Sequence, residues 1–142
     1  MKPQRLFLDS DVVISALIST QGAAFKILEE KQAQLFISNL SELEIRRVSQ
    51  KLDVDLLRFE SWLKKRLFLV KLVEPLVAIK KRYGSYVTDP TDAHILAGNV
   101  KSLARILITY NHRHFRRDRI KTNLGIILMT PGEYLQYLRS LQ

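Results

Sequence analysis

Short runs of apolar residues alternate along the chain with longer segments in which apolar and polar residues mix. The apolar runs cover residues 6–8, 35–37, 106–108 and 126–129, and one further run, interrupted by a lysine, covers 67–73. Runs of this length, bounded by polar or turn-forming residues, are typical of buried strands. We therefore predict a sheet of four to five strands.

The segments between these runs space their apolar residues as amphipathic helices do. Helices are predicted from about residue 12, over 22–31, from 39 to about 52, from 53 or 55, from Pro90 with Asp89 as cap, and from Pro131. In the helix after Ser38 we expect the core-facing residues to be Leu40, Leu43, Val48 and Leu52. Residues 74–88 indicate mixed helix and loop, and 111–119 a polar turn with at most one helical turn.

Short buried strands that alternate with helices indicate a mostly parallel sheet covered on both faces. The predicted fold class is therefore α/β, a three-layer sandwich with a central sheet of four to five strands flanked by helices. The chain has 142 residues, of which 46% are hydrophobic and 26% charged, enough for one core and too few for two. We expect a single domain over residues 1–142.

The composition of the chain restricts the kinds of site it can hold. It contains no cysteine, which excludes disulfides, thiolate zinc sites and iron–sulfur clusters, so any metal must be held by oxygen or imidazole. Lys and Arg outnumber Asp and Glu by 23 to 14, a net charge of +9 that favours nucleic acid as a partner, although solvated basic faces are equally common. The first apolar run is too short for a signal peptide or membrane span, so we expect a cytoplasmic protein.

Five carboxylates are the candidate chemical groups: Asp9, Asp11, Glu44, Asp89 and Asp92. Each aspartate lies near a predicted helix start, where a carboxylate also serves as a cap. Asp9 directly follows the first strand, however, and Asn111 closely follows the strand at 106–108. Ligands of parallel α/β sheets gather at the carboxyl ends of the strands, near the point where the strand order switches. Both residues therefore lie where chemistry is expected.

Four segments together resemble the PIN domain family. Residues 6–17, LFLDSDVVISAL, resemble its opening strand, acidic turn and apolar helix. Ser38 with Glu44 six residues later resembles its second acidic motif, and residues 89–97, DPTDAHILA, resemble its third. Residues 106–115, ILITYNHRHF, are similar to the subfamily that contains VapC-like toxin components of toxin–antitoxin pairs. The resemblance extends over almost the whole chain.

This resemblance implies a PIN-like fold and a metal-dependent ribonuclease, with Asp9, Glu44 and Asp92 holding Mg²⁺ or Mn²⁺. Asn111 completes the implied catalytic set at a position where many family members carry a fourth acid. Its amide carbonyl can supply an oxygen but brings no negative charge. Asp11 either restores that charge or caps the helix, and we favour the cap. The resemblance further implies an RNA substrate, a cognate antitoxin partner and a homodimer.

A basic stretch follows Asn111 and is predicted to hold the RNA backbone through Arg113, Arg116 and Arg117, unless it is only a solvated turn. Thr109 is grouped with these substrate-binding residues, and we expect it to support the pocket by hydrogen bonding. For the other basic run, 80–82 with Tyr83 and Tyr86, we favour a solvated surface with packed tyrosines over RNA stacking. The remaining candidates are His94, His112 and His114, which we interpret as non-ligands because they lack the spacing of a zinc site. We expect His94 to point away from the acids.

Two other functions are compatible with the same residues. Because Asn111 replaces an acid, the chain is alternatively a non-catalytic RNA-binding or regulatory protein on a degenerate PIN scaffold. A third and weaker alternative is a nuclease that acts on DNA. A metal-dependent cleavage assay separates the non-catalytic protein from the ribonuclease and from the DNA nuclease.

Overall fold

A sheet of five parallel strands forms the centre of the protein, whose computed structural model describes residues 2–142. The strands are β1 (Gln4–Leu8), β2 (Ala33–Ser38), β3 (Leu67–Val70), β4 (Ile106–Ile108) and β5 (Ile127–Met129). They lie in the order β3-β2-β1-β4-β5, and every neighbouring pair is parallel. The α/β prediction is confirmed, and the sheet is parallel throughout.

Eight α-helices surround this sheet. They are α1 (Ser10–Ile18), α2 (Ala23–Leu28), α3 (Asn39–Lys51), α4 (Leu57–Lys65), α5 (Leu76–Tyr83), α6 (Ala93–Ser102), α7 (Arg117–Leu124) and α8 (Pro131–Ser140). Short 3₁₀ helices cover Gly84–Tyr86, Pro90–Asp92 and His112–His114. The second predicted helix ends at Leu28, earlier than the expected residue 31.

The pleat of β1 divides the apolar core into two layers. Leu6 and Leu8 pack on one face of the sheet with residues of α1, α2, α3, α4 and α8. Phe7, which points to the opposite face, packs with residues of α5, α6 and α7. Helices therefore cover both faces, which confirms the predicted three-layer sandwich.

Helix α6 lies unusually close to the central strand. A β-carbon at Gly98 would come within 2.6 Å of the Phe7 ring, a distance that side chains do not tolerate. Phe7 is itself fully buried and lies two residues before Asp9 in the chain. The absence of a side chain at Gly98 therefore lets α6 pack directly on β1.

Side-chain caps define several helix starts at the predicted positions. Ser38 caps α3 by accepting a hydrogen bond from the Ser41 amide, and Asp89 accepts one from the Thr91 amide. Thr130 and Glu133 form a reciprocal capping box at the start of α8. The predictions for these three starts are confirmed.

The predicted core face of α3 is wrong at Leu43 and Leu52, whereas Leu40 and Val48 are half-buried and Leu40 packs against the core. Leu43 and Leu52 are 64% and 52% exposed, whereas the buried residues of the helix are Ser41, Ile45 and Ser49. The Ser38 hydroxyl donates to that of Ser41 at 3.2 Å, so part of this polar lining is satisfied within the protein. Two serines, Ser41 and Ser49, are thus buried on this helix, whereas two of the residues that the hydrophobic pattern assigned to the core are exposed.

The prediction of a polar turn over residues 111–119 is also incomplete, because α7 begins at Arg117 and continues to Leu124. The segment before this helix pairs with the segment that follows α5. Val87 and Phe115 form an antiparallel bridge, with flanking backbone hydrogen bonds from Thr88 to His114 and from Arg116 to Tyr86 at 3.0 and 2.9 Å. We call this pairing the cross-loop bridge.

The helices within residues 2–142 are too short or too polar to cross a lipid bilayer.

Candidate metal centre

The candidate site lies at the carboxyl ends of β1 and β4, which are neighbours at the centre of the sheet. After β1 the chain moves to β2 on one side, and it later returns to β4 on the other side, so the strand order switches here. Asp9 follows β1 and donates its backbone N–H to the carbonyl of Ile108 at 3.0 Å. The residues after the two strands are thereby held side by side, as the sequence predicted.

Asp9 is both a helix cap and a buried acid. Its Oδ1 accepts a hydrogen bond from the Ser10 amide at 2.7 Å, and its Oδ2 accepts one from the Thr109 hydroxyl at 2.8 Å. Only 9% of the residue is exposed. Burial, followed by the charge of Asp11, raises the pKa of Asp9 from 3.8 to about 8. Capping and a place in an acidic site are therefore compatible roles for this residue.

Thr109 acts on Asp9 and has no surface to offer a substrate. The residue is fully buried, its hydroxyl donates to Asp9, and the same oxygen accepts the Asn111 amide at 3.0 Å. Its assignment as a substrate-binding residue is therefore corrected. Its hydrogen bonds with Asp9 and with the Asn111 backbone amide agree with the expected support of the pocket.

Asp11 joins the acidic site, and the expectation that it caps α1 is wrong because Asp9 occupies the cap position. Its Oδ2 accepts hydrogen bonds from the Tyr110 amide at 3.1 Å and from the Asn111 side-chain Nδ2 at 2.9 Å. Its Oδ1 is buried without a hydrogen-bond partner. Burial, with a further contribution from the charge of Glu44, raises the pKa of Asp11 to about 6, and the backbone amides of Tyr110 and Val12 oppose this rise.

Glu44 and Asp92 reach the same site from α3 and from the turn before α6. The negative charge of Glu44 contributes to the raised pKa of Asp9, Asp11 and Asp92, which places it near all three. Burial is the main cause of the raised pKa of Asp92, and the neighbouring His114, whose Nδ1 lies 3.5 Å from Asp92 Oδ2, opposes it. The structure therefore places the four carboxylates within range of one another's charges, with Asn111 bonded to Asp11.

A cleft of about 340 Å³ adjoins Glu44 and was not foreseen from the sequence. His94 lines it with its Nδ1 buried and unpartnered, near enough to Glu44 and Asp92 for their charges to act on its pKa, which burial lowers. The expectation that His94 is not a metal ligand stays a prediction. The other lining residues are Leu40, Leu43, Arg47, Leu76, Lys80 and Thr91. Arg47 could have been found from its spacing, since it lies three residues after Glu44 on the same helix.

The predicted RNA-binding arginines are exposed on the segment that follows the site. Arg113 lies in the 3₁₀ helix beside Asn111, Arg116 immediately precedes α7, and Arg117 begins it. Within residues 2–142 none of the three forms an ion pair, and Arg117 only adds to the lowered pKa of Glu133. At the other basic run Tyr83 is buried and Tyr86 half-buried, in keeping with the packed interpretation that we favoured.

The donor set fits a hard divalent cation in its chemistry. Within the described part of the chain, no three His, Asp or Glu side chains lie close enough together to hold a metal ion. The unpartnered buried Oδ1 of Asp11 and the raised pKa of Asp9 nevertheless mark a place where negative charge is disfavoured unless a cation compensates it. Oxygen ligands of this kind suit Mg²⁺ or Mn²⁺. Binding would require the carboxylates to draw closer.

Residues 5–113, which include all four carboxylates and Asn111, match the family model described as PIN domain. No curated protein sequence matches the chain.

Three solved structures share the fold, and each covers 89% of this chain. A chain of a toxin–antitoxin complex from Klebsiella pneumoniae is 21% identical, has a TM-score of 0.61 and is covered over 97% of its length. A chain of VapBC2 from Rickettsia felis, bound to a promoter DNA fragment, is 16% identical, with a TM-score of 0.55 and 98% coverage. A chain of FitAcB from Neisseria gonorrhoeae is 16% identical, with a TM-score of 0.57 and 98% coverage. At these identities the similarity concerns the fold.

Proposed function

Since the chain belongs to the PIN domain family, we propose that it is a metal-dependent endoribonuclease and the toxin component of a toxin–antitoxin pair. One observation carries this proposal. Asp9, Asp11, Glu44 and Asp92 converge at the switch point of the sheet, and two of them have a strongly raised pKa. Burial, followed by repulsion from the neighbouring acids, disfavours the charged carboxylates in the metal-free protein, and a bound cation opposes both effects.

Asp9, Glu44 and Asp92 are the proposed ligands of Mg²⁺ or Mn²⁺. When bound, the cation supplies charge stabilisation at the scissile phosphate and a lowered pKa for the attacking water. Thr109 fixes the rotamer of Asp9 through the 2.8 Å hydrogen bond. Asn111 cannot accept a proton as a base, and its amide instead donates to Asp11.

The distribution of positive charge supports RNA as the substrate. Arg113, Arg116 and Arg117 lie beyond Asn111, and Arg47 and Lys80 line the cleft beside Glu44. Cations near an acidic pocket can hold the phosphate backbone while leaving the reactive phosphate to the carboxylates.

A cognate antitoxin is proposed as the protein partner. The support is the shared fold of three chains whose structures are of toxin–antitoxin systems. Exposed leucines of the cleft, including Leu43, offer apolar surface for such a partner. The homodimer, the cytoplasmic location and the single domain stay predictions.

The decisive experiment is cleavage of a mixed RNA pool by the purified chain with Mn²⁺, with Mg²⁺ and with EDTA. We expect cleavage with either cation, none with EDTA, and none with the Asp92→Asn variant, because that change removes a ligand charge at a half-buried position. A duplex and single-stranded DNA of matched sequence test the DNA alternative. A folded wild type that binds RNA and never cuts it would establish the degenerate-scaffold alternative instead.

Removing two of the exposed arginines should weaken RNA binding in a salt-dependent way. For Arg116→Ala with Arg117→Ala we expect lower affinity and a salt slope reduced by roughly 1 to 2, because each phosphate contact releases counterions. The matched control is Lys64→Ala with Lys65→Ala, which removes equal charge before β3, at the opposite edge of the sheet. Equal slopes for the two double variants would identify the arginines as solvated surface. Fluorescence anisotropy over a salt series measures both.

A further inference from the structure

One residue pair spans the switch point and is not explained by the proposed ligand set. Asp11 lies in the first turn of α1, and Asn111 lies three residues beyond β4, 100 positions later. Their side chains meet at 2.9 Å, with the amide Nδ2 donating to the carboxylate Oδ2. The Tyr110 amide donates to the same oxygen at 3.1 Å.

The two bonds leave the carboxylate of Asp11 asymmetric. Both donors engage Oδ2, whereas Oδ1 is buried and has no partner. A buried carboxylate oxygen without a donor is costly unless a cation or another donor reaches it. The negative charge of Glu44 acts on the same carboxylate, so the oxygen belongs to the acidic site and not to a separate network.

The chemistry of the pair allows only one charge. A carboxylate at position 111 would have no hydrogen to donate, and two carboxylates at this distance would repel each other. An amide at both positions would keep a hydrogen bond but would remove the charge. One acid and one amide are therefore the arrangement that satisfies the contact and supplies a single negative charge.

Resting on the proposed metal-dependent function, we propose that Asp11 supplies the fourth negative charge of the site and that Asn111 is the positioning residue that orients it. The charge and the amide are then exchangeable between the two positions. In the exchanged pair the nitrogen of the amide at position 11 takes the place of Oδ2 and donates across the contact to position 111, while the Tyr110 amide loses its acceptor. The departure of Asn111 from an acid is thus compensated on α1.

A double-mutant cycle tests the exchange through Mn²⁺ affinity, measured by calorimetry, and through the melting temperature of the metal-free protein. Asp11→Asn should weaken Mn²⁺ binding about tenfold or more, because ligand charge sets cation affinity. Asn111→Asp should lower the metal-free melting temperature, because it adds a repelling charge. The double variant should recover Mn²⁺ affinity to within about threefold of wild type, well inside the tenfold effect of the charge loss. It should recover the melting temperature in part, because the added repulsion is removed but the Tyr110 contact is not restored.

Asp118→Asn, which removes an exposed acid of α7, is the control and should leave Mn²⁺ affinity unchanged. The proposal is overturned if the effects of the two single changes on Mn²⁺ affinity and melting temperature simply add in the double variant. It is also overturned if Asp11→Asn binds Mn²⁺ with wild-type affinity. RNA cleavage is measured separately on the same four proteins. If the double variant recovers Mn²⁺ affinity and none of the proteins cleaves RNA, the pairing of Asp11 with Asn111 is upheld and the ribonuclease function is rejected. If wild type cleaves RNA and the double variant does not recover Mn²⁺ affinity, the ribonuclease function is upheld and the pairing is rejected.

Discussion

Replacing Asp9 with asparagine is expected to abolish metal-dependent RNA cleavage, with a loss of at least about a hundredfold. Loss of a group that only supports a metal ligand already costs roughly ten- to a hundredfold, and Asp9 is a proposed ligand itself. The change removes one charge and keeps the shape of the side chain. Cleavage rates at saturating Mn²⁺, compared with the Asp118→Asn control, measure the effect.

The same variant should remain folded and become more stable without metal. An amide oxygen can still accept the Ser10 amide, so the cap of α1 is kept. The repulsion from Asp11 and the burial of a charge, which raise the pKa of Asp9, are both removed. An Asp9→Asn protein that is folded and still cuts RNA at the wild-type rate would rule out the proposed ligand set.

The stability of the metal-free protein is expected to fall as the pH rises from about 5 to 8. The pKa is raised from 3.8 to about 8 for Asp9 and to about 6 for Asp11, so in this range the native state holds protons that the unfolded chain releases. Stability decreases with pH wherever the native state binds more protons than the unfolded state. A buried His94 with a lowered pKa contributes the opposite slope, but only near its own titration.

Melting curves at several pH values in EDTA, with wild type and Asp9→Asn side by side, isolate the contribution of Asp9. We expect a drop of several degrees for wild type and a clearly smaller one for the variant. Saturating Mn²⁺ should flatten the wild-type dependence, because a cation favours the charged carboxylates. A wild-type melting temperature that is constant or rises over this range would contradict the buried, mutually repelling acids.

The strands and the position of Asp9 could be predicted because the information is local. An apolar run ending in an acid, such as residues 6–9, specifies a buried strand and the residue that leaves it at the carboxyl end. Asp89 and Thr130 were likewise recognisable as caps, because a cap depends on residues within one helical turn. The topology rule then placed Asn111 at the same end of the sheet as Asp9, although it does not indicate the contact between Asn111 and Asp11.

The features that were missed depend on contacts between distant segments. Asp11 was assigned to a cap because nothing near it in sequence indicates Asn111, its partner 100 positions away. The core face of α3 was misassigned because Ser41 and Ser49 are buried and Leu43 lines a cleft. Helix α7 was missed because Ile120 is its only buried residue among those described, so its sequence resembles a solvated turn.

The cross-loop bridge gives the site a preformed frame. It joins the segment before Asp92 to the segment after Asn111 through backbone hydrogen bonds at Thr88 and Arg116. The two loops that carry Asp92 and Asn111 are therefore already ordered relative to each other before any ligand arrives. Ordering a free loop on binding costs conformational entropy that is subtracted from the affinity. Here that entropy is lost during folding, so an incoming phosphate backbone meets a surface that need not be organised again.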